Sequence, residues 1–197
     1  MKSVFDLIRA NEAEEIRKLT PTDLMEKNEN GNTSLMVAIK KKKKLVINSI
    51  LEKANKELLE EPNEKGETPL IYALYSKNEA LALRLIELGV DINKGTKQNF
   101  TPLIVATAKT CIKVAKKLIE LGANIHTVSS FGMTALSNAA LYGEEELVKL
   151  LLDKGVDKSV EDSFFGMNAA SWAKWHGHNE LSDYILEYGE VEGVLNA

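Results

Sequence analysis

Between Gly66 and Gly89 the chain reads GETPLIYALYSKNEALALRLIELG, and its apolar residues fall into two short runs at helical spacing. Leu70 and Ala73 open the first run. Leu81, Leu85, Ile86 and Leu88 form the second, with the polar Ser76, Lys77 and Asn78 between the two. Thr68 followed by Pro69 predicts a helix start: a threonine hydroxyl accepts an orphan backbone N–H, and proline loses nothing at the first helical position. Gly89 predicts a helix end, because glycine reaches the left-handed conformation without strain. The unit is therefore a helix, a break and a second helix.

Neither helix can bury its apolar face alone, so such a unit must recur. The threonine position returns as Thr33, Thr68, Thr101 and Thr134, with Asn168 in the fifth copy, at intervals of 35, 33, 33 and 34 residues. Leu35, Leu70, Leu103 and Leu136 follow it by two, and Ala38, Ala73, Ala106, Ala139 and Ala173 by five. Gly89, Gly122, Gly155 and Gly189 close the second helices. GVDIN (Gly89 to Asn93) and GANIH (Gly122 to His126) follow two of these ends, and HGHNEL (His176 to Leu181) stands at the break between the last two helices.

In the T-P-L-x-x-A helix start, the period, these tails and this break the chain resembles the ankyrin-repeat family over residues 30 to 189, with a degenerate copy before them. The resemblance implies an all-α ankyrin-repeat solenoid of helix-turn-helix repeats joined by β-hairpin-like loops, acting as a non-catalytic binding module. One departure is systematic. The family's histidine after the leucine is replaced by Met36, Ile71, Ile104, Ser137 and Ser171, so apolar packing is expected where that histidine would hydrogen-bond between repeats.

The expected organisation is a single domain over 1–197. An N-terminal cap occupies 1–29, repeats occupy 30–65, 66–98, 99–131 and 132–165, and a C-terminal capping repeat with its tail occupies 166–197. In the cap, Val4, Phe5, Leu7, Ile8, Ile16 and Leu19 supply the apolar face, Asn11 stands at the break, and Pro21 starts a loop. A terminal repeat has one neighbour, and Glu12, Glu14, Glu15, Arg17 and Lys18 make its outer face polar. The first repeat is irregular: Lys40 to Lys44 form a lysine run at its break, and Leu58, Leu59 and Pro62 lengthen its exit. The run reads as a solvated turn or as a contact for an acidic partner. Asn99 replaces glycine before its helix, where asparagine also tolerates positive φ. The fourth repeat carries an extra residue near Asp162 to Phe165, and Glu190 to Ala197 are expected to fray or fold back.

A net charge of −4 over 197 residues argues against a broad nucleic-acid footprint. One cysteine, Cys111, excludes an intramolecular disulfide. No apolar run approaches membrane-spanning length, and the start MKSVFDLIRANEAEE turns acidic too early for a signal peptide. The triplets at Asn32 and Asn99 match the glycosylation pattern, but both sit at helix starts and read as chance matches.

The resemblance implies that binding lies on the concave side, formed by the loop tips and the exposed ends of the first helices. The first two repeats place Asn32, Lys40, Lys41, Glu67, Tyr75 and Ser76 there. The third places Lys97, Gln98, Phe100 and Lys109, the fourth Phe131, Met133, Leu141 and Tyr142, and the fifth Phe164, Phe165, Met167, Trp175 and His176. Seven of the twelve aromatic residues fall at these positions: Tyr75, Phe100, Phe131, Tyr142, Phe164, Phe165 and Trp175. Exposed, they mark an interaction surface. The alternative is that they tuck between neighbouring repeats. Trp172 lies on the apolar face of its helix and is expected in the core.

Chemistry finds little support. His176 and His178 flank Gly177 and need not converge, His126 sits in a variable loop, and Cys111 has no neighbouring histidine. The glycines occur singly, so no phosphate loop forms. No catalytic residue, cofactor or metal is expected. The expected function is non-catalytic capture of another protein, mainly on repeats three to five, with Lys97, Lys109 and Lys40 to Lys44 orienting it. Neither nucleic acid nor membrane is expected as a partner. A cytoplasmic monomer is expected, with a homodimer and self-associating scaffold as one alternative and a secreted host-directed effector or enzyme inhibitor as the other.

Overall fold

The computed structural model describes residues 2–189; the expected behaviour of Glu190 to Ala197 lies outside them. The chain divides into two compact units, Met1–Lys97 and Gln98–Ala197. The first holds α1 (Val4–Ala10), α2 (Ala13–Lys18), α3 (Pro21–Leu24), α4 (Ser34–Lys40), α5 (Lys44–Leu51), α6 (Lys56–Glu60), α7 (Pro69–Tyr75) and α8 (Glu79–Glu87). The second holds α9 (Pro102–Ala108), α10 (Ile112–Glu120), α11 (Ala135–Leu141), α12 (Glu145–Asp153), α13 (Ala169–Trp175) and α14 (Asn179–Glu187). Among the described residues the only β pairing outside helices is an isolated bridge between Lys27 and Thr33.

Each first helix starts on the side chain the period predicts. Thr33, Thr68, Thr101 and Thr134 accept a hydrogen bond from the backbone N–H three residues on, and Asn168 does the same from Ser171. Those donors are the residues that replace the family's histidine. Met36, Ile71 and Ile104 are buried, so apolar packing fills the site in three copies. Ser137 instead turns its hydroxyl back to the Thr134 N–H at 2.9 Å and completes a capping box. Ser171 is exposed.

The break between the two helices of each pair is one left-handed residue: Asn11, Lys42, Lys77, Thr110, Gly143 or Gly177. It lets the next N–H reach back to the helix it has just left. In the five full copies the acceptor is the carbonyl of Ala38, Ala73, Ala106, Ala139 or Ala173, at 2.8 to 3.0 Å. All five alanines are buried. A larger side chain there would push the neighbouring helix away, which accounts for the recurrent alanine.

Within the first unit α1 packs on α4 and α4 on α7; within the second α9 packs on α11 and α11 on α13. Leu35, Leu70, Leu103 and Leu136 lie in these seams with almost no exposure. Two short helices stand where the sequence predicts loops. Thr20 and Asp23 form a capping box around Pro21 and start α3. Asn55 caps α6, which buries Leu58 and Leu59 and so uses the lengthened exit of the first repeat as core.

Thr110 holds φ +56°, a conformation that is costly for a β-branched residue. Thr110→Gly is expected to raise the free energy of unfolding by about 0.5 to 1 kcal/mol in urea titration followed by circular dichroism. Gly143→Ala is expected to lower it, because the added Cβ would lie 2.5 Å from the His178 ring in a backbone region that alanine avoids. A Thr110→Gly chain no more stable than wild type would contradict the strain at this break.

Candidate partner-binding surface

Several of the tips that precede the first helices are closed by the side chain at their first position. Asn63 Oδ1 accepts from the N–H groups of Lys65 and Glu67 at 3.0 and 2.9 Å. Ser129 Oγ accepts from Phe131 and Met133 at 3.3 and 3.1 Å. In the last tip, one residue longer, Asp162 holds three N–H groups: Phe164 and Phe165 on Oδ1, both at 2.8 Å, and Met167 on Oδ2 at 2.9 Å. Burial of the Asp162 carboxyl pushes its pKa up, but these three donors outweigh that and hold it below the ordinary carboxylate value. The buried Trp172 indole N–H adds to the effect without forming a hydrogen bond of standard geometry.

Successive tips of the second unit are tied by single backbone bonds. Ser130 N–H donates to the Gln98 carbonyl at 2.9 Å, and Ser163 N–H to the Phe131 carbonyl at 3.0 Å. This spacing stacks one aromatic ring per tip. Phe100 and Phe131 lie 5.8 Å apart between ring centroids and Phe131 and Phe164 5.6 Å, the latter pair with planes 19° apart. Phe100 is half-buried, while Phe131 and Phe164 are exposed.

The extra residue of the last tip gives it a second aromatic. Phe165 meets the edges of Trp172 at 5.8 Å and Trp175 at 5.3 Å, and the two indoles stack on successive turns of α13. His176 stands 6.1 Å from Trp172. Phe164, Phe165 and Trp175 are 71%, 61% and 60% exposed, too open for rings packed away between repeats. Trp172 is half-buried at the centre of this group, so it is not the core residue its helical position predicts. Phe165, which meets it edge-on, comes from a loop, and helix periodicity does not reveal that contact.

The remaining expected site residues distribute unevenly. Met133, Met167, Leu141 and Lys109 are half-buried, and Tyr142 is exposed at the end of α11. Tyr75 and Lys97 are exposed in the first unit. The tips of that unit are polar: Asn63 Nδ2 and the Tyr72 hydroxyl both donate to Asn32 Oδ1 at 2.8 Å. Asn32, expected at the open surface, is therefore buried. Burial, with the Glu67 charge, raises the pKa of the Tyr72 phenol; burial likewise raises that of Tyr75.

Asn99 takes the predicted positive φ, 60°, and its side-chain amide donates to the Val128 carbonyl at 2.8 Å. Cys111 is buried at the start of α10, and His178 packs over Gly143. Among the described residues no three His, Cys, Asp or Glu side chains gather where they could hold a metal ion, and no helix is long and apolar enough to cross a membrane.

Asp162→Asn replaces one acceptor oxygen with a donor and is expected to lower the free energy of unfolding by about 1 to 3 kcal/mol at pH 7. The folded carboxyl titrates below its unfolded value, so its contribution is complete above the unfolded value of about 3.9 and is lost as pH falls through the folded one. Urea titrations of both chains across that range should converge at low pH. A gap that does not change would show that the charge of Asp162 does not hold the tip.

A search of curated proteins finds no match to the chain. A family model described as ankyrin repeats (3 copies) matches residues 44–129 and 121–194, spans that together cover well over half of the chain. Ankyrin repeats are generally protein–protein interaction modules and typically non-catalytic. The helix pairs, their period and this match agree: the chain belongs to the ankyrin-repeat family.

Proposed function

We propose that this protein captures a partner protein on the aromatic surface of repeats three to five. The observation that carries the reading is the run from Phe100 through Phe131 to Phe164: Phe131 and Phe164 stack and stay open to solvent, with the half-buried Phe100 against them. Rings held by their neighbours lose little freedom when a partner covers them, so their apolar area converts efficiently into affinity. Phe165 of the last tip extends the surface to Trp175 and His176 at the end of α13, and Tyr142, Met133 and Lys109 flank it on the fourth and third repeats. This is the face that is concave in the family. The protein is read as a cytoplasmic monomer, in keeping with a single, buried thiol.

The test compares affinity capture from source-cell lysate by wild type and by Phe131→Ala, Phe164→Ala and Trp175→Ala chains, with folding checked by circular dichroism. Each exposed ring removed should weaken retention of the partner about tenfold or more. Retention of the same proteins by all four chains would contradict the reading. Sedimentation that depends on concentration in wild type alone would replace the foreign partner with a second copy of this chain.

A further inference from the structure

A second surface, independent of the aromatic one, lies in the first unit. A groove of about 520 Å³ opens between the α4–α5 and α7–α8 helix pairs at the end where their breaks fall. Its floor is apolar, formed by the edges of Ile39, Ile47 and Leu81, all buried residues. Its rim is cationic: Lys42, Lys44, Lys77 and Arg84 line it, and no carboxylate does. Arg84 donates to the Asn48 carboxamide oxygen at 2.8 Å and enters no ion pair among the described residues. None of the lysines from Lys40 to Lys44 enters an ion pair among the described residues.

We infer that this groove binds an acidic peptide segment of a partner protein, one that seats an apolar side chain on the floor and carries carboxylates on either side. Charge complementarity selects the occupant. The chain as a whole has a net charge of −4, yet four cations are gathered around one opening. Such a concentration attracts carboxylates and repels basic segments. The apolar floor separates this from a bare lysine patch, because an anion alone would leave it uncovered. The size suits one or two side chains rather than a whole domain. Lys42 stands at the left-handed break at φ 55° and Lys44 opens α5, so backbone geometry fixes where both stems leave.

The test uses the full chain and a fluorescein-labelled peptide Asp-Glu-Asp-Leu-Phe-Glu-Asp-Glu, read by fluorescence anisotropy. Its counterpart with lysine at every acidic position is the control. The acidic peptide should bind, more weakly as salt rises, and the control should not. A Lys42→Glu, Lys44→Glu chain should bind at least about tenfold more weakly; glutamate at the start of α5 favours the helix, so the chain is expected to fold. Ala80→Trp, at an exposed groove-lining position, should weaken binding without changing charge. Failure of the wild type to bind, or equal binding by all chains, overturns the inference. So does binding of phosphatidylserine vesicles or an oligonucleotide through the same lysines with no binding of the peptide. Phe131→Ala should leave peptide binding unchanged, which keeps this result separate from the fate of the aromatic surface.

Discussion

None of the fourteen helices among the described residues exceeds nine residues, and helices of that length do not persist alone in water. Their stability comes from neighbours, through seams in which Leu35 and Leu70, or Leu103 and Leu136, are almost wholly buried. Close approach of first helices in turn requires alanine at one position in every copy, and a left-handed residue after it so that the alanine carbonyl can be satisfied. This requirement for burial against the next pair fixes the helix starts, the breaks and the spacing of the tips. It leaves the tip residues free to vary.

The two units use that freedom differently. In the first, Asn32, Asn63 and Tyr72 knit the tips into a buried polar network. In the second, the tips carry Phe100, Phe131 and Phe164, which the tip-to-tip hydrogen bonds bring within ring-contact distance. The pairing of Phe131 with Phe164 is a by-product of solenoid spacing: each stands two residues after the first residue of its tip, so the rings meet because the backbone repeats. The longer last tip then adds Phe165 and passes the surface on to the two indoles of α13.

Features set by local backbone chemistry are legible in the sequence. The threonine caps, the substitution of Asn168 for threonine, the positive φ of Asn99 and the helix breaks all follow from one residue and its near neighbours. What depends on contacts across repeats is not. The half-buried place of Trp172 depends on Phe165 from a loop, and the burial of Asn32 on a tyrosine forty residues away. The short helices α3 and α6 were hidden because each is too brief to show a period, although Thr20 with Asp23 and Asn55 before Leu58 are capping signals that could have revealed them. The aromatic enrichment of repeats three to five was legible from counting alone. Which rings stack, and that they do so in the open, was not.

The central claim is that this aromatic run is where a partner sits. Hydrogen–deuterium exchange on the protein alone and with its captured partner tests it most directly. The account predicts slowed exchange at the tips around Phe100, Phe131 and Phe164 and at the end of α13. Protection confined to other surfaces, with these tips exchanging as fast as in the free protein, would contradict it.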